Sequence, residues 1–152
     1  MNTFVREAST EDQKIIVTFQ TMMAKETEDL MLDNETLNKG VEAVLQDSGR
    51  AKYFIAETNG VPSGMLMITY EWSDWRDGWV WWIQSVYTDP GFRKQGIYKL
   101  LYNHIKSIVL STESIKGIRL YVDKRNNSAQ KVYETLGMNG NHYSTFEWMK
   151  ES

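Results

Sequence analysis

Between Trp79 and Ile108 the chain runs from an almost unbroken apolar segment, through a turn carrying proline, glycine and two adjacent cations, into an apolar stripe at helical spacing. The segment Trp79–Thr88 is too continuously apolar for a half-solvated strand and reads as a central strand covered on both faces. Asp89-Pro90-Gly91 turns the chain, and Ile97, Leu100, Leu101, Ile105 and Ile108 then recur on one helical face. A strand, helix and further strand (Gly117–Val122) in that order require a sheet with helices packed on it. The turn itself has a chemical reading. Backbone N–H groups at a helix start are unpaired within the helix and sit at the positive end of its dipole. A phosphate placed there satisfies them. Gly96 lets the backbone approach closely, and Arg93 and Lys94 add positive charge. The alternative is a surface turn with two solvated cations, since short glycine motifs recur by chance.

The remaining pattern fills in one mixed α/β domain over residues 1–152. Thr3–Arg6 is a short strand. Ser9 or Thr10 caps a helix whose inner face carries Ile15, Ile16, Phe19, Met22 and Met23. The acidic stretch from Lys25 to Glu35 is expected to turn the chain, before a second helix from Asn34 to about Gln46. Lys52–Thr58 and Val61–Tyr70 read as strands joined by Asn59-Gly60, a hairpin signal. A second turn spans Ser73–Gly78. After Gly117–Val122 a helix begins at Asn127-Ser128 and is stopped by Gly137, and Tyr143–Met149 is expected as a last strand, with a further short one near Met138. The order is β-α-α-β-β-β-α-β-α-β.

Composition narrows the function classes. The chain has 152 residues, 41% hydrophobic and 24% charged, with a net charge of −3, which disfavours a nucleic-acid-coating protein. Arg119, Lys124 and Arg125 form only a small basic cluster. There is no cysteine, hence no disulfide, thiolate metal site or thiol nucleophile, and no metal-ligand spacing appears. No signal-type run opens the sequence and no segment reaches membrane-spanning length, so a cytoplasmic protein without a membrane partner is expected.

Two motifs together resemble the GNAT superfamily of N-acetyltransferases. The first, D-P-x-x-R-x-x-G-x-G before an apolar helix, stands here as Asp89-Pro90-Gly91-Phe92-Arg93-Lys94-Gln95-Gly96-Ile97-Tyr98. The second, N-x-x-A-x-x-x-Y-x-x-x-G, stands as Asn126, Ala129, Tyr133 and Gly137. The resemblance implies a single GNAT-like domain with a mixed central sheet of about six to seven strands and about four helices. Strands 4 and 5 would splay apart to admit the pantetheine arm of acetyl-CoA. It also implies cofactor contacts from Val86, Tyr87, Thr88, Arg93, Lys94, Gln95, Gly96, Ile97, Tyr98 and Asn126. Tyr98 departs from the pattern, which has a second glycine or alanine at that position.

The implied activity is acetyl-CoA-dependent transfer, by direct attack, to a primary amine of a small molecule or a protein. The alternative is a non-catalytic acyl-CoA binding or sensing domain. Tyr133 matches the phenol that serves the departing thiolate, and its other reading is a core tyrosine. The strand-4 carboxylate usual in the family is absent between Trp79 and Thr88. Gln84 can relay a hydrogen bond but cannot take a proton, and Glu28, Asp29 and Glu71 are the candidate carboxylates, the first two in a loop expected to line the acceptor site. His104 reads as a packed core residue and His142 has no visible partner. Five of six tryptophans fall between Trp72 and Trp82. Trp72, Trp75 and Trp79 either border an acceptor pocket or form packing or homodimer contacts.

Overall fold

The computed structural model describes residues 2–122, 127–140 and 144–150. They form two compact units, residues 1–119 and 120–152.

In the first unit, β1 (Thr3–Glu7) is followed by a short 3-10 turn, then α1 (Gln13–Glu28), α2 (Asn34–Gln46), β2 (Lys52–Thr58), β3 (Val61–Ser73) and β4 (Gly78–Thr88). A second 3-10 turn (Pro90–Phe92) leads into α3 (Ile97–Ser111), and β5 (Ile115–Leu120) follows. The strands lie in the order β1-β2-β3-β4-β5. The first four pair antiparallel. At the β4–β5 junction the Trp79 N–H donates to the Ser114 carbonyl at 2.8 Å, and Arg119 lies over the Trp82 ring. The start of β5 meets the start of β4 and its last residues meet the middle of β4, so β5 runs parallel to β4 and the sheet is mixed. With six residues against eleven, β5 ends before β4 does.

Side-chain alternation sends the sheet's two faces to different helices. Tyr53, Ile55, Met65 and Tyr87 pack with Ile16, Val17, Phe19, Val41 and Val44 of α1 and α2. Phe54, on the other face, meets His104 of α3 with ring centroids 5.5 Å apart, as expected of a packed histidine. Gly64 belongs to that face too: a Cβ there would stand 2.9 Å from Ile97 Cγ2. The missing side chain brings the first turn of α3 down onto β3.

The second unit contains α4 (Asn127–Thr135). The helix is where the apolar spacing put it, and Gly137 follows at φ +87°. Two expectations are corrected. Among the described residues the sheet has five strands, because neither the segment around Met138 (136–140) nor residues 144–150 form a strand. Phe146 and Trp148 there are 97% and 87% exposed, and alternation makes a strand only where a partner edge supplies a ladder. (Tyr143, the proposed first residue, lies outside the described residues.) The acidic stretch also begins later than expected as a turn: α1 continues through Glu28, and Asp29 caps it in the left-handed conformation at φ 49°. Glu28 is therefore a helix-end residue, not part of a loop.

Candidate active site

Three local devices shape the segment between β4 and α3. Asp89 closes the strand end: its carboxylate accepts from the Gly91 N–H at 2.9 Å, and its carbonyl accepts from the Phe92 N–H at 2.9 Å. Lys94 and Gly96 both adopt positive φ, 63° and 80°. Gly96 is the N-cap of α3, with no side chain to occupy the helix's free donors. A Cβ built on Gly96 meets nothing within 4 Å, so the space above the helix start is open. Its carbonyl already accepts the first helical bond, from the Leu100 N–H at 3.0 Å. Ile97 is 1% exposed and pins the first turn into the core. Among the described residues Lys94 and Gln95 are exposed, and Lys94 forms no ion pair. Tyr98 is half-buried and its hydroxyl oxygen is out of solvent.

The strand leading into this turn is irregular. Met67 of β3 pairs with Ser85 but Ile68 pairs with Ile83, so Gln84 is an extra residue, a β-bulge. A one-residue insertion reverses which face later side chains take. Ile83 sits with Ile68 on the α3 face, whereas Ser85 and Tyr87 turn toward α1. There the Gln20 amide donates to Ser85 Oγ at 3.0 Å. Gln84 itself is exposed and donates from Nε2 to Thr69 Oγ1 at 2.7 Å. Val86 and Thr88 lie opposite Leu66 and Gly64 and are half-buried.

Arg93 does not stand beside the helix start as the sequence suggests. Its Nε donates to the Thr88 carbonyl at 3.1 Å, and Nη2 donates to Glu26 Oε2 at 2.7 Å. The guanidinium carbon lies 5.5 Å from the Tyr87 ring centroid. The other Glu26 oxygen accepts from the Tyr87 hydroxyl at 3.0 Å. Arg93 holds the Glu26 carboxyl below the usual range, with Tyr87 assisting. Burial, and then the Glu26 carboxylate, push the Tyr87 phenol up to about 12. Glu26 was not among the candidate residues. Its only sequence signal is a carboxylate near the end of a helix.

The other candidate carboxylates fare differently. Glu71 Oε1 accepts from Trp82 Nε1 at 2.6 Å and from Arg119 Nη1 at 2.9 Å. Trp82 first, and Arg119 with it, lower the Glu71 carboxyl, so at neutral pH it is a bound anion and a weak base. Asp29 pairs with Lys25 at 3.0 Å. Glu28 is exposed, with no hydrogen bond or ion pair among the described residues. Tyr133 is half-buried on α4, and its carbonyl accepts from the Leu136 and Met138 N–H groups at 3.1 and 3.0 Å. Asn126 and His142 lie outside the described residues. Trp79 lies edge-on to Trp72 (centroids 5.1 Å) and to Tyr70, while Trp75 is 92% exposed at the hairpin tip. Among the described residues no helix is long and apolar enough to cross a membrane.

Fold and site together define an α/β domain that presents an open helix N-terminus beside a bulged strand. The chain belongs to the acetyltransferase (GNAT) family, whose family model matches residues 19–138. A solved structure of a "possible acetyltransferase" from Clostridium difficile 630 is similar over 100% of both chains, at 41% identity and TM-score 0.93. A "probable acetyltransferase" superimposes over 100% of this chain and 99% of its own, at 19% identity and TM-score 0.84. An aminoglycoside N-acetyltransferase in complex with CoA does so over 98% of this chain and 95% of its own, at 16% identity and TM-score 0.80. The last two likenesses concern the fold alone. No curated protein sequence matches the chain significantly.

Proposed function

We propose that residues 1–152 form one acetyl-CoA-dependent N-acetyltransferase domain, acting by direct attack of a primary amine of a small molecule or a protein. The observation that carries this reading is the start of α3: Gly96 at φ 80°, with open space where a Cβ would stand, at a helix start whose first N–H groups have no acceptor within the helix. Such a cradle fits a diphosphate, and Lys94 is the cation free to face it. Membership of the GNAT family supports the same reading, as does the CoA complex of a structural relative.

Acetyl-CoA supplies an acetyl group activated as a thioester. The Gly96–Tyr98 backbone would hold its diphosphate, with Gln95 and Ile97 shaping the loop. Backbone groups of Val86 and Thr88 would hold the pantetheine arm where β4 runs past the end of β5, the place at which splaying of these two strands is expected. Asn126 would bond the same arm. In the transfer an N–C bond forms and the C–S bond breaks; the amine gives up one proton and the departing sulfur takes one. Tyr133 is the proposed donor to that sulfur. On the amine side Gln84, exposed at the bulge, relays the proton to water. Glu71 is a poor acceptor because its two donors hold it as a carboxylate. Glu28 remains the carboxylate without such partners.

The test is release of CoA, read with a thiol reagent, when the protein and acetyl-CoA meet a panel of amines. Release that depends on an amine, with product mass raised by one acetyl group, supports the transferase. The absence of any carboxylate from β4 favours a second reading, a non-catalytic acyl-CoA sensor. Binding of acetyl-CoA without release under any amine would decide for it.

A further inference from the structure

We infer that Glu26 is a positioning residue for the CoA loop, and that the motif arginine, Arg93, works on the protein and not on the diphosphate. The inference rests on the CoA reading of the loop and deepens it. Seven residues, 89–95, connect β4 to the N-cap of α3. One end is closed by the Asp89–Gly91 turn and the other by Ile97 in the core. The middle contains Lys94 in a left-handed conformation, which an L side chain adopts only when its surroundings hold it. Arg93 supplies that hold: it grips the Thr88 carbonyl, covers the Tyr87 ring and ends on Glu26 of α1. Glu26 in turn is fixed from its second oxygen by Tyr87, a core residue only 5% exposed. The chain of contacts therefore ties a surface loop to a buried phenol and to a helix 67 positions earlier in sequence.

Charge alone argues for the opposite effect. A carboxylate near an anion site repels the anion, so deleting it should tighten CoA binding and free Arg93 to reach the phosphates. Positioning predicts weaker binding. The sign decides.

CoA binding is measured by calorimetry for the parent protein, Glu26→Ala, Glu26→Gln, Arg93→Ala and the Glu26→Ala/Arg93→Ala double variant. Glu26→Ala and Arg93→Ala should each weaken binding about three- to tenfold, the scale of a partly exposed ion-pair network. The double variant should be no weaker than the worse single one, because both remove one device. Glu26→Gln keeps one oxygen to accept from Arg93, and its amide nitrogen can donate to the Tyr87 hydroxyl, so binding should stay within about threefold of the parent. A repulsion effect would treat Gln and Ala alike. Unchanged or tighter binding by Glu26→Ala, with a loss in Arg93→Ala, overturns the inference and puts Arg93 on the diphosphate. Should the parent itself fail to bind CoA, the reading of the loop falls, and this inference with it.

Discussion

Replacing Gly64 by alanine tests whether packing beneath the loop sets the position of its donors. Gly64 lies in β3, paired with Ala56 of β2 and Thr88 of β4. An added Cβ would stand 2.8 Å from the Tyr87 carbonyl oxygen, 2.9 Å from Ile97 Cγ2 and 3.5 Å from Leu101 Cδ1. The third is an ordinary contact. The first two fall about 0.5 Å or more short of one. The carbonyl belongs to the backbone of a paired strand and cannot swing away, so the strain passes to Ile97, the first residue of α3. Overpacking of this kind costs about 1–3 kcal/mol, and alanine's lower unfolded-state entropy returns up to about 1 kcal/mol. The net loss centres on about 1–2 kcal/mol, which corresponds to a Tm lower by roughly 2–8 °C in a chain of this size.

The assay is urea unfolding with an unchanged m-value, alongside CoA calorimetry on the same protein. Ile97 cannot move by about 0.5 Å without carrying its own N–H and that of Tyr98, and hydrogen bonds span only about that range of lengths. CoA binding should therefore weaken together with stability. Gly40→Ala is the control: Gly40 lies within α2 with nothing within 4 Å of its Cβ position, so alanine should stabilise by about 1 kcal/mol and leave binding alone. Parent-like stability and CoA affinity in Gly64→Ala would refute the argument.

At Gly96 the space is open but φ is 80°, so Gly96→Val should fold with a loss of about 1–2 kcal/mol and lose CoA binding; undiminished affinity in the folded variant refutes the cradle. Tyr133→Phe should bind CoA as the parent does and turn over about 10²–10⁴ times more slowly, whereas parent turnover would leave Tyr133 a packing residue. Asp12 accepts from Arg6 at 2.7 and 2.8 Å, and this pairing, with the Ser9 N–H, holds its carboxyl below the ordinary 3.8. The stabilisation is complete above that ordinary value and disappears as the pH falls through the lowered one. Urea midpoints should therefore fall steeply below pH ~4 in the parent and less so in Asp12→Asn; equal slopes would refute the assignment.

Elements whose signals are local were legible in the sequence. α2 runs from Asn34 to Gln46 as its spacing indicates, and Asp33 caps it by accepting from the Thr36 N–H. The Asn59-Gly60 hairpin has both residues at positive φ, as that turn requires. Gly96 at the helix start was readable for the same reason, since its conformation is a property of one residue and its neighbours. The end of α1 was not. Lys25 to Asp29 looks like loop by polarity, yet an exposed helix end is polar in any case, and the Lys25–Asp29 pair at i,i+4 supports it. β4 was expected as a central strand covered on both faces; it does lie inside the sheet, between β3 and β5, but Trp79 and Gln84 on it are exposed.

What the sequence concealed is pairing. Nothing in Trp-Trp-Ile-Gln-Ser-Val-Tyr announces that Gln84 has no opposite number on β3; register is a relation between two strands, and one strand's composition does not contain it. Yet that insertion decides the chemistry downstream. In an unbulged β4, residues 83, 85 and 87 would share a face, and with Ile83 against Ile68 on the α3 side, Tyr87 would point away from α1. Glu26 would then accept from no phenol, and Arg93 would have no ring to cover on its way to it. The strand irregularity at Gln84 and the ion pair at the loop are thus one arrangement. A change that straightens β4 should release Arg93 as surely as removal of Glu26 does.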